Sequence, residues 1–182
     1  MNKFYIISLI LGFLAFLSCS DDDPKIPPIT TENTFSCKID GELFVPKDHG
    51  GFPIQQSGIL VSIEDNNSWY FTFGDGSKDL FLYITNVTSK GDFSLELSDG
   101  DKDFFQENKN LMELDFETVS NFATHISTTE SGKIQVLELE INKHIIIQFD
   151  ELILRDTNNP QNVVMLTEGK ININLETFSE SN

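Results

Sequence analysis

Positive charge is scarce in this chain. Its 182 residues carry 12 Lys and Arg against 29 Asp and Glu, a formal net charge of −17. Phosphate binding needs a basic patch to release counterions, so this balance argues against a nucleic-acid partner. Cysteine is nearly absent, and two of them cannot staple a fold of this size. The apolar run at the start, Phe4 to Leu17, has 14 residues, where a bilayer core needs about 20. Helical spacing is missing beyond a few residues, and no strand–helix–strand pattern supports a dinucleotide fold. No G-x-S-x-G or S-x-x-K occurs, so a serine hydrolase has no local support. His49, His125 and His144 show no metal-ligand spacing. What is present is 39% hydrophobic residues and sixteen Phe, enough to bury a core.

The first 33 residues read as an address. Lys3 precedes the apolar run, as in a secretory signal. Ser18-Cys19 follows it directly. Phe16-Leu17-Ser18-Cys19 resembles a bacterial lipobox, with Phe16 where Leu is usual. The resemblance implies cleavage before Cys19 and acylation of its sulfur and new amino group. Several acyl chains hold a protein on a membrane where one does not. Residues 1–18 are then a lipoprotein signal peptide, the alternative being a plain secretory signal with a chance cysteine.

Ser20-Asp21-Asp22-Asp23 comes next. This run resembles the acidic export signal of Bacteroidota lipoproteins, which implies the outer face of the outer membrane. The alternative localisation is the periplasmic face. Pro24, Pro27 and Pro28 make residues 19–33 an extended tether. At about 3.1 Å per residue it reaches up to roughly 40 Å from the lipid. Such a spacer suits an acidic body, which an anionic membrane surface repels.

Residues 34–182 alternate with a period near 2 and read as one all-β domain. Phe35, Cys37 and Ile39 share a face, and Asp40-Gly41 marks a two-residue hairpin. Trp69, Phe71 and Phe73 share a face on a strand from Ser68, with Tyr70 and Thr72 opposite. Leu80 to Ile84 is apolar on both faces and predicts a central strand. Phe93, Leu95 and Leu97 are expected inward. Residues 98–118 are acidic and irregular, with room for one helical turn. A three-residue turn at Asn142-Lys143-His144 would pair Ile141 with Ile145, Leu139 with Ile147, Leu137 with Phe149 and Ile134 with Leu152. Beyond it both strands change phase together, which predicts a bulge or bend. Lys170 to Leu175 closes the domain, with Ile171, Ile173 and Leu175 inward. Eight to ten antiparallel strands predict a β-sandwich, or alternatively a small up-and-down or lipocalin-like barrel.

The Phe35-Ser36-Cys37-Lys38-Ile39-Asp40-Gly41 hairpin, followed by Phe44 and Pro46, resembles the opening of small Bacteroidota lipoproteins of unknown function. Gly132-Lys133-Ile134 and Gly169-Lys170-Ile171 resemble their last third. The resemblance covers about half the domain. It implies an all-β fold in the cell envelope and carries over no catalytic residue.

The metal candidate is Asp99, Asp101 and Asp103, three alternating carboxylates that could converge on Ca²⁺. An EF-hand would need Gly and Glu where Phe104 and Asn110 stand, so a solvated acidic loop competes with it. Cys37 shares a face with Phe35 and Ile39 and is expected in the core. Trp69 is expected there too, leaving Tyr70 and Tyr83 as more exposed aromatics for stacking a glycan. The loop at His49-Gly50-Gly51-Phe52-Pro53 is expected to shape one end of a cleft. These features lead to a non-enzymatic surface lipoprotein that binds a glycan or protein, or plays a structural part. A barrel carrying a small apolar ligand and a Ca²⁺-dependent glycan-binding accessory protein are the alternatives.

Overall fold

Asp40 and Gly41 adopt φ of 49° and 85°. That is the left-handed pair a tight hairpin needs, and it sets Ile39 opposite Glu42. The same alternation organises the rest of the chain in this computed structural model, which describes residues 33–51, 54–101, 108–117 and 122–178. Thirteen strands follow in order: β1 Thr34–Ile39, β2 Glu42–Phe44, β3 His49–Gly51, β4 Ile54–Gln56, β5 Ile59–Ile63, β6 Trp69–Gly74, β7 Lys78–Ile84, β8 Gly91–Ser94, β9 Leu111–Glu117, β10 Phe122–Ile126, β11 Lys133–Glu140, β12 His144–Asp156 and β13 Val163–Asn174. A one-turn helix, α1, spans Leu175–Phe178.

The protein is all-β and antiparallel. Nine strands form one curled sheet in the order β2-β1-β13-β12-β10-β9-β7-β6-β5, a half-barrel. β11 pairs β12 and β8, while β3 and β4 form a separate hairpin. The sheet curls until the strands next to its two ends meet across the core: Phe35 of β1 stacks on Phe73 of β6 at 3.9 Å. Between them Trp69, Phe71, Leu80, Leu82, Ile147 and Ile171 are fully buried. Such close packing of aromatic and branched side chains is the main stabilising term, about 1.5–3 kcal/mol per large side chain removed from water.

The curl has a local cause. β12 buries Ile145, Ile147 and Phe149, then skips two residues and buries Leu152 and Leu154. Its first half pairs β11 and its end pairs β10. β12 does change phase, but not together with β11 and not with Ile134 opposite Leu152: the strand that follows it in step is β13, with Phe149 opposite Gly169 and Leu152 opposite Leu166. At the change, Glu168 has a φ of 55° and the β1–β13 register shifts between Ser36 and Lys38, a bulge. Gly169 is required beside it, because a Cβ there would lie 2.0 Å from Phe149 Cζ.

Several expectations need correction. The β11–β12 turn is Ile141-Asn142-Lys143, one residue earlier than expected, and pairs Leu139 with Ile145 and Val136 with Ile147. Asn142, at φ 59°, takes the left-handed position, since Asn tolerates it better than most residues. Ile141 is left 50% exposed and a bulge at Leu137 absorbs the offset. Leu97 is exposed because the chain leaves the ladder after β8, and Ser98 takes the inward place. Within residues 98–118, the described part from Leu111 is strand β9, whose two faces are both covered. The last strand starts at Val163, well before Lys170, and Leu175 begins α1. Strands outnumber the expected eight to ten because β3, β4, β9 and β10 are short or carry polar residues on buried faces.

Candidate functional site

On the outer face of β8, β11, β12, β13 and β1, polar residues stand in register across five strands. Asp92 lies opposite Gln135, Gln135 opposite Gln148, Gln148 opposite Lys170, and Lys170 opposite Ser36. Neighbouring strands are about 4.8 Å apart, so the row is a ladder of side chains at nearly fixed spacing. Alternation explains it: Ile134, Val136, Ile147 and Ile171 fill the inner face, and the residues between them must face out.

The side chains are joined. Gln148 Nε2 donates to Gln135 Oε1 at 2.9 Å, and Gln135 Nε2 donates to Asp92 Oδ1 at 3.2 Å. Lys133 Nζ donates to Asp92 Oδ2. The Lys133 hydrogen bond, reinforced by its charge and by Gln135, holds the Asp92 carboxyl below its usual range, against a smaller opposing effect of desolvation. The row thus ends on a firmly ionised acceptor. Beside it opens a pocket of about 350 Å³, lined by Asp92, Lys133, Gln135, Gln148, Asp150 and Glu151 among others. The bend of β12 makes this hollow by turning Asp150 and Glu151 outward. Paired amide and carboxylate groups of this kind can each hold two adjacent hydroxyls.

A second polar group lies on the outer face of β6, β7, β9 and β10. Glu113 is fully buried and Asp115 nearly so, with Tyr83 covered between neighbouring strands. Ser98 Oγ donates to Glu113 Oε1, and Thr124 Oγ1 donates to Asp115 Oδ1 at 2.8 Å. Burial pushes the Tyr70 hydroxyl up, Thr72 opposes that through a hydrogen bond, and the two carboxylates add to the rise. Tyr83 is 1% exposed, which corrects its expected place as an open stacking surface. Tyr70 is half-buried beside it.

Of the residues singled out by sequence, Asp99 and Asp101 are described and Asp103 is not. Asp101 N–H donates to Asp99 Oδ1 at 3.0 Å, so this carboxylate shapes its own turn. Among the described residues no three His, Cys, Asp or Glu side chains cluster as metal ligands. Cys19 and the Ser20-Asp21-Asp22-Asp23 run lie outside the described residues. Cys37 is fully buried, as expected, and burial pushes its thiol up to about 12. His144 opens β12 rather than sitting in the turn, and its Nε2 lies 2.8 Å from Asn172 Oδ1. His49 and Gly51 are in β3, and Phe52 and Pro53 fall outside the described residues. Sequence reading missed the row of Asp92, Gln135 and Gln148. Its signal was present as polar residues between apolar ones, but only the register brings the three together.

No family model matches the chain, and neither a curated protein nor a solved structure matches it.

Proposed function

We propose that this protein is a lipid-anchored lipoprotein of the outer membrane, exposed at the cell surface, that binds a glycan without transforming it. The anchor is acylated Cys19, exported under the Ser20-Asp21-Asp22-Asp23 signal and spaced from the lipid by the Pro-rich tether. The observation that carries the binding role is the joined row of Lys133, Asp92, Gln135 and Gln148 beside an open pocket. Fixed donors and acceptors on a rigid sheet recognise hydroxyl-rich ligands with little ordering cost. An interior carrier role is less supported, because buried side chains such as Phe71, Leu82 and Ile147 occupy the space between the sheet ends.

Two measurements test this. Labelled palmitate should enter the wild-type chain and not Cys19→Ala, and protease added to intact cells should remove the domain. Oligosaccharide arrays should show binding that falls roughly tenfold in Gln135→Ala or Gln148→Ala, the loss of one to two hydrogen bonds. Arrays without any bound oligosaccharide would overturn the glycan reading, and unlabelled wild-type chain would overturn the anchor.

A further inference from the structure

Strand β5 ends the sheet with its outer edge bare. Gly74 N–H donates to Gly58 O, and Glu64 N–H donates to Ser68 O. In an antiparallel ladder these bonds alternate, so Leu60 and Ser62 also face β6. The backbone groups of Ile59, Val61 and Ile63 therefore point away from the sheet. Ser57 Oγ engages Ile59, at 2.8 Å to its carbonyl and 3.4 Å to its amide. Among the described residues no strand lies beyond Val61 and Ile63. The edge also lacks the usual protection: Ile59-Leu60-Val61-Ser62-Ile63 has no charge, no Pro and no bulge. Ile59, Val61 and Ile63 pack on the core yet are only partly covered, and Leu60 is 52% exposed.

We infer that this edge pairs with β5 of a second copy of the chain, antiparallel about a two-fold axis at Val61. The register is self-complementary. Val61 meets Val61 of the other copy, and Ile59 meets Ile63, so the outward-pointing groups coincide as hydrogen-bonded pairs. The Ile59 pair exchanges its Ser57 bonds for ladder bonds. On the core-facing side every contact is Ile or Val against Ile or Val. Charge fits as well. Glu64 comes opposite Gly58 of the other copy, and the Lys47 backbone lies directly over that glycine. Each exposed Glu64 thus approaches an exposed Lys47 across the axis, twice by symmetry. The chain's own tether is a poor occupant, because Pro24, Pro27 and Pro28 lack the N–H a ladder needs.

A five-residue ladder is small beside the roughly 1,200–2,000 Å² of standard interfaces, so the dimer forms reversibly with concentration. This interface is independent of the glycan row, which lies on other strands. The test is sedimentation velocity on the full chain in mild detergent over a range reaching high micromolar. A monomer–dimer equilibrium is expected. Val61→Pro removes an N–H that points away from β6, so the monomer keeps its ladder, while dimer affinity should weaken at least about tenfold. Leu60→Asp, on an exposed side chain, adds two like charges at the axis and should act in the same direction. Circular dichroism and Trp69 fluorescence report whether each variant is folded. A chain that stays monomeric throughout, or a dimer that persists in either folded variant, would overturn the inference. If Val61→Pro does not fold, Leu60→Asp decides.

Discussion

On β6, Trp69, Phe71 and Phe73 are fully buried, while their ladder partners on β5, Ile63, Val61 and Ile59, point to the same face and remain partly exposed. Both strands alternate, and both put apolar residues on the core side. The difference lies in position. β6 has neighbours on both sides and the Phe35 ring stacked over its end, whereas β5 has one neighbour. Alternation sets which face is apolar; the number of neighbouring strands sets how completely that face is sealed.

The largest effect should come from the centre. Phe71→Ala is expected to cost about 3–5 kcal/mol, because the lost ring leaves a cavity among residues that cannot collapse. Urea titration checks it, and a loss below about 1 kcal/mol would break the claim that β6 sits in the sealed core. Gly169→Ala comes next. Its Cβ would strike the Phe149 ring, so ring or strand must shift, at about 1–3 kcal/mol. The same substitution at Gly41, where nothing lies within 4 Å, has only its positive φ against it and separates crowding from conformational strain.

Val61→Ala should cost about 1 kcal/mol, well under Phe71→Ala even after allowing for side-chain size, if the edge is half sealed. Equal costs per atom removed would erase the contrast between β5 and β6.

The smallest expected effect is a pH dependence at β10. His125 is 3% exposed, beside the Phe116 ring, with no hydrogen-bond partner for either nitrogen among the described residues. Burial holds it below 6.5, although Asp156, Asp40 and Asp115 pull the other way. The unfolded chain therefore takes up this proton first as acid is added. Stability should fall as pH drops below about 6.5 toward the folded value, and hold above it. Urea midpoints at neutral and mildly acid pH should differ less in His125→Gln than in wild type. Identical slopes would show that the ring is not held neutral by its surroundings.

Much of the centre was legible in the amino-acid order. The Phe35-Cys37-Ile39 face, the Asp40-Gly41 turn and the Trp69-Phe71-Phe73 face stand as read, because each rests on period 2 or on a glycine's freedom. Residues Leu111 to Ile126 were not legible. Glu113, Asp115 and His125 occupy buried strand positions, and their bonds to Ser98 and Thr124 or contact with Phe116 come from other segments nine to fifteen residues away, brought alongside by strand pairing. The β11–β12 turn was displaced by one residue because apolar matching alone favoured Ile141, while backbone conformation favoured a left-handed Asn142.

Composition and alternation by themselves determined an acidic all-β domain, since local sterics and hydrophobic spacing act within a few residues. Tertiary structure decided that the strands close as one half-barrel, that β12 exchanges β11 for β10 at its bend, and that Asp92, Gln135 and Gln148 stand side by side. Those outcomes depend on register between segments tens of residues apart, which packing and loop closure select only once the chain is folded.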